Sequence, residues 1–80
     1  MRPDEIQTLI RSGLECEDVR VSGDGRHFDA VVVSAAFAGK PTLARHRMVY
    51  ATLGDRFDTD TLHALSLKTY TPQQWHELGG

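Results

Sequence analysis

Apolar positions change their period several times along this chain, and each change marks an element. "PDEIQTLIRS" places Ile6, Leu9 and Ile10 at the spacing of one helix face. Pro3 suits a first helical position, Asp4 and Glu5 suit the positive end of the helix dipole, and Gly13 suits the stop. A helix is therefore expected from about Pro3 to Ser12. Period two then takes over. Val19 and Val21 alternate with Arg20 in a strand from about Asp18 to Ser22, and Phe28, Ala30 and Val32 line one face of a second strand, His27 to Ser34. "GDG", residues 23 to 25, is a turn signal, and so short a link predicts an antiparallel hairpin.

"AAFAGKP" reads as a loop, with Pro41 opening a second helix. Leu43, His46, Tyr50 and Leu53 fall at helical spacing with Val49 beside them, and Gly54 stops or bends that helix. "DRFDTDT" leads to a third strand, Leu62 to Tyr70, in which Leu65 and Leu67 face one way and Ser66 and Lys68 the other. "TPQQW" begins a third helix: Thr71 is the N-cap, Pro72 fits the first position, and Gln74 completes a capping box. Tyr70 and Trp75 can pack across that cap as a hydrophobic staple.

The resulting order, αββαβα, is an α+β domain with a three-stranded mixed sheet. Strand two, helix two and strand three form a crossover, which predicts parallel strands and a right-handed connection. The N-terminal ends of strands two and three then share one sheet edge. His27 begins the first of these strands and His63 stands near the start of the other, on axes about 4.8 Å apart if they are neighbours. Alternation puts His63 on the face of Leu65 and Leu67, and His27 on the face of Asp29. The two converge only if a strand end twists or the hairpin loop folds over.

Composition narrows the function classes. Eighty residues make one domain, 1–80, with room for a single modest core. A net charge of −2 and a pI of about 6.0 argue against a protein devoted to nucleic acid, which usually carries a basic surplus. No apolar run approaches the roughly 20 residues that span a bilayer. The charged, amphipathic N-terminus lacks a signal-peptide core, and the lone Cys16 cannot form an internal disulfide. The expected compartment is the cytoplasm, with no membrane partner. There is no nucleophile motif and no phosphate-cradling glycine loop, so neither an enzyme nor a small-molecule substrate is expected.

"VSGDGRHFDAVVVSAAFAGKPTLARHRMVYATLGD" followed by "LHALSLKTYTPQQW" resembles the BolA family over nearly the whole chain. The resemblance rests on the order and spacing of F-x-G-K, R-H-R-x-V-Y, H-A-L-S-x-K-T-Y-T-P and a final Trp. The short "SGDGRHF" hairpin is similar to the short-loop bacterial members. It implies an αββαβα fold of the class II KH type, in agreement with the order read from the pattern. It also implies a heterodimer with a monothiol glutaredoxin, holding a [2Fe–2S] cluster that the two proteins share with glutathione, for iron–sulfur trafficking or iron sensing. Other members are described as transcriptional regulators or stress morphogens, which makes DNA the alternative partner. The family histidine maps onto His63 as the expected cluster ligand. A second ligand is expected from the hairpin: the loop cysteine of some members falls at Asp24, and His27 is the other candidate.

The chemistry sets its own limits. A [2Fe–2S] cluster needs four ligands, usually thiolates, with histidine accepted at one iron. One cysteine and four scattered histidines cannot supply them, so the protein alone is expected to carry no cofactor. Read without the resemblance, His63 is a core-edge histidine and Asp24 a turn former. His46 is a packing residue of helix two, His76 a surface residue, and Cys16 a small structural thiol. Lys40, Arg45 and Arg47 form the candidate contact surface for a protein partner or DNA. Arg45 and Arg47 project about 200° apart on a helix and do not make one patch. "FAGKPTL" lacks the second glycine of the GXXG loop with which KH domains grip a nucleic-acid backbone.

Overall fold

The computed structural model describes residues 2–54 and 64–80. The helices are α1 (Pro3–Gly13), α2 (Thr42–Leu53) and α3 (Pro72–Glu77), and the strands are β1 (Asp18–Gly23), β2 (Phe28–Val33) and β3 (Leu65–Tyr70). The strand order is β1-β2-β3, with β1 antiparallel and β3 parallel to β2. Both pairings match the sequence pattern. A short 3-10 turn, Ala35–Phe37, stands inside the stretch expected to be loop.

β2 pairs on both sides, and its alternation decides the layers. Phe28, Ala30 and Val32 point to one face, joined by Val19 of β1 and Leu65 of β3. Ile6 and Ile10 of α1 and Val49 and Leu53 of α2 close over that face, each at most 1% exposed. Phe37 fills the same core from the 3-10 turn. Its turn has a local cause: the Ser34 hydroxyl accepts from the Ala36 amide at 3.1 Å and donates to the Glu15 carbonyl at 2.7 Å. That buried serine also ties the α1–β1 link to the end of β2.

On the opposite face, Trp75 packs between Tyr70, with ring centroids 5.4 Å apart, and the Arg20 guanidinium, 5.2 Å from the indole. The anticipated cap of α3 is present. Gln74 donates its amide to Thr71 Oγ1 at 3.2 Å, and Thr71 donates its own to Gln74 Oε1 at 3.0 Å.

α2 departs from its expected orientation. Its buried positions are Val49 and Leu53, with Arg45 half-buried one turn before Val49, whereas Leu43 is 62% exposed. The inward stripe is turned by roughly 80° from the one that Leu43, His46, Tyr50 and Leu53 suggested. The reason lies in Arg45, which the helix keeps on the inner side. Its Nε donates to the Lys40 carbonyl at 2.8 Å, its guanidinium donates to Gln74 Oε1 at 2.9 Å and the Thr69 carbonyl at 3.4 Å, and its carbon lies 5.9 Å from the Phe37 ring centroid. One side chain thus fastens α2 to the loop before it, to β3 and to α3. Gly54 ends the helix with φ of 57°, a value open to glycine at little cost.

Replacing Arg45 with Met keeps most of its volume and removes every one of these bonds. The expected loss is about 1–3 kcal/mol in a urea unfolding curve, the range for charged hydrogen bonds. An unchanged midpoint would mean that the guanidinium is in practice solvated.

Candidate functional site

The hairpin between β1 and β2 holds one candidate ligand in place. At Gly23 a β-carbon would run into the His27 carbonyl and the Phe28 ring, so the close crossing of the two strands requires glycine. Asp24 then turns the chain. Its Oδ1 accepts from the Arg26 amide at 2.8 Å and from the His27 amide at 2.9 Å, while its own amide donates to the His27 carbonyl at 3.3 Å. The His27 amide bond, followed by that of Arg26, holds the Asp24 carboxyl below its ordinary pKa. Asp24 is therefore the turn former that its sequence position suggested, and it spends a carboxylate oxygen on the backbone of the other candidate, His27. The His27 side chain is exposed, one residue before β2 begins.

β2 and β3 begin side by side. Phe28 is in register with Leu65, and the Phe28 amide donates to the Ala64 carbonyl at 2.8 Å. The neighbouring strand ends inferred from the pattern are thus present for His27 and Ala64. His63, bonded to Ala64 in the chain, lies outside the described residues, as does the expected start of β3 at Leu62.

The remaining titratable groups divide between structure and surface. Cys16 is half-buried, and its thiol donates to the Leu14 carbonyl at 3.2 Å. Burial pushes its pKa up against a smaller opposing effect of Arg11, which makes it a poor thiolate and an unpromising metal ligand. It borders a shallow cavity of about 330 Å³ with Glu15, Glu17, Ala35, Ala36 and Pro72. His46 stands edge-on to Tyr50, with centroids 6.5 Å apart, as a packing residue would. His76 is exposed, 3.3 Å from a Glu17 carboxylate oxygen. Among the described residues no three His, Cys, Asp or Glu side chains gather as a metal site.

Of the three cations expected on the contact surface, Lys40 and Arg47 are exposed. Arg45 is committed to the internal bonds described above. Sequence reasoning missed this role and also missed Phe37 and the outward Leu43. A signal existed for Phe37, the lone aromatic after a serine able to cap a turn. Nothing local marked Arg45.

The comparisons with known proteins agree with this architecture. The family model described as BolA-like protein matches residues 3–74, and the chain belongs to that family. The acid stress protein IbaG of Escherichia coli K12 is 36% identical over 75 residues, covering 94% of this chain and 89% of the relative. The DNA-binding transcriptional regulator BolA of the same organism is 47% identical over 57 residues, 71% of this chain but 53% of its own length. The structure of a BolA homologue from Coxiella burnetii superposes with a TM-score of 0.78 at 44% identity, covering 95% of this chain and 97% of the other. These relatives are named as a stress protein and a regulator. Among the described residues no helix is long and apolar enough to cross a membrane.

The Asp24 bonds make a pH prediction. A carboxyl whose pKa is depressed in the folded state contributes stability above its unfolded value, near 3.9, and loses it as pH falls through the lower folded value. The Arg26 and His27 amides should stay protected from hydrogen exchange through the ordinary aspartate range, near 3.9, and lose protection only as pH falls further, through the lower folded value. In Asp24→Ala their exchange should be several-fold faster at neutral pH with the rest of the sheet unchanged. Equal protection in both proteins would remove Asp24 from the turn.

Proposed function

We propose that this protein is a non-catalytic adaptor that binds a monothiol glutaredoxin and shares with it a [2Fe–2S] cluster as cargo. The observation that carries the reading is the start of the β2–β3 ladder, where the Phe28–Ala64 bond brings the end of the hairpin beside the residue that follows His63. His63 would supply one ligand and His27, exposed on a turn fixed by Asp24, a second. The donor chemistry fits a shared cluster and not a resident one. The only cysteine is a structural thiol with a raised pKa, so thiolates must come from the partner and its glutathione.

Histidine must be neutral to bind a metal, so such ligation weakens as pH falls. A cluster held this way is more easily given up than one held by four thiolates. The proposal is tested by reconstituting the cluster with a monothiol glutaredoxin and glutathione and recording visible circular dichroism. Wild type should alter the glutaredoxin cluster spectrum, His63→Ala should abolish the change, and His27→Ala should reduce or reshape it. A spectrum that wild type leaves unaltered would sink the adaptor reading.

A second reading, a DNA-binding regulator, is favoured by the name of the 47% identical relative from Escherichia coli. It calls for duplex binding whose affinity falls steeply with salt, through Lys40 and Arg47. Binding that is weak and nearly independent of salt would exclude it.

A further inference from the structure

His27 is exposed, yet both polar atoms of its backbone are held by one residue. The residues flanking the tip of a tight hairpin ordinarily exchange a pair of backbone bonds. Here they are Asp24 and His27, on either side of Gly25, whose φ is 95°, and Arg26. One bond of the pair is ordinary: the Asp24 amide donates to the His27 carbonyl at 3.3 Å. The other goes to a side chain. The His27 amide donates to Asp24 Oδ1 at 2.9 Å, and the Arg26 amide shares that oxygen at 2.8 Å. A carboxylate oxygen thus does what a main-chain carbonyl does in an ordinary hairpin.

Two further constraints bracket the same residue. At Gly23 a β-carbon would run into the His27 carbonyl oxygen, so the chain passes close on that side. On the other side the Phe28 amide donates to the Ala64 carbonyl at 2.8 Å, and the Phe28 ring is buried in the core. The backbone of His27 is therefore fixed, while its imidazole stays at the surface with only its own torsions free. A ligand on a loose tip would be ordered anew each time a cargo arrived, and holding the backbone beforehand removes that cost. The Asp24 carboxylate is committed to this task. Its Oδ1 accepts two amides, and a metal bond through that oxygen would break both.

We propose that Asp24 is a positioning residue for the cluster: it does not ligate iron but fixes the backbone of His27, so that the imidazole is presented before the cargo arrives. This rests on the adaptor reading with His27 as a ligand. It gives separate tasks to the two hairpin residues between which the sequence left the second ligand open. Asparagine separates those tasks. Its side-chain oxygen can accept the same two amides and it forms the same kind of turn, but it offers no carboxylate to a metal. Alanine offers neither.

The test titrates wild type, Asp24→Asn, Asp24→Ala, His27→Ala and the double variant Asp24→Ala/His27→Ala into cluster-loaded monothiol glutaredoxin with glutathione. Visible circular dichroism gives the concentration that half-converts the spectrum. Amide hydrogen exchange of each protein alone, without cluster or partner, reads the turn independently, and melting temperatures verify folding. Asp24→Ala should need about ten-fold more protein, the scale for losing the group that supports a metal ligand, and its His27 amide should exchange faster. Asp24→Asn should stay close to wild type on both readouts, and it carries the test by itself if the alanine variant does not fold. The double variant should be no weaker than His27→Ala, because both changes act through one imidazole. If Asp24→Asn loses conversion while its amides stay protected, the carboxylate is itself the ligand and the proposal is overturned. If Asp24→Ala converts the spectrum as wild type does, or its loss adds to that of His27→Ala, Asp24 does not act through His27 and the proposal falls while the adaptor reading stands. If His27→Ala matches wild type, the proposal falls and the adaptor reading rests on His63 alone. A spectrum that wild type itself leaves unaltered ends both.

Discussion

The parallel pairing of β2 with β3 is the constraint on which the rest of the structure depends. β2 is the central strand, and its register is fixed twice: by Gly23 opposite Phe28 in the hairpin, and by Leu65 beside Phe28 in the parallel ladder. A slip of one residue on either side would turn Phe28, Ala30 and Val32 away from the core. The parallel pair also needs a crossover, and α2 is that crossover. The pairing therefore determines at once which face is packed, where α2 lies and which strand ends meet. Because it begins at the Phe28–Ala64 bond, His27, the residue just before it on β2, stands exposed at the rim and does not enter the core.

Arg45 is the second point of dependence, and it changes the meaning of the basic cluster. In "RHR" the sequence offers three side chains of similar chemistry within one helical turn. The fold gives them three uses: Arg45 is a bracket among three backbone and side-chain acceptors, His46 packs against Tyr50, and Arg47 faces solvent. A cation turned inward is costly unless its hydrogen bonds are satisfied. Here two carbonyls and the Gln74 amide oxygen satisfy it. Gln74 also closes the cap of α3, so the same side chain that starts that helix anchors it to α2.

Elements with strong local signals were legible in the sequence. The Pro3 start of α1, the alternation in β1 and β2, and the Thr71-Pro72-Gln74 cap each have a cause within a few residues, and each is found where that cause puts it. The rotation of α2 was not legible. Its apolar residues are spread around the helix, so periodicity alone could not choose between the stripe through Leu43 and the one through Val49. The choice depends on Arg45 reaching Thr69 and Gln74, which are far away in sequence. Asp24 and His27 show the same division. The turn role of Asp24 follows from its neighbours, whereas the nearness of His27 to the start of β3 follows only from the crossover.

These features bear on how an adaptor with so few ligands would work. Neutral imidazoles at a strand rim hold a cluster less firmly than thiolates, and the chain has no reactive thiol to add. On the adaptor reading, ligation cannot both fix the partner and release the cargo, since strong ligation would prevent transfer.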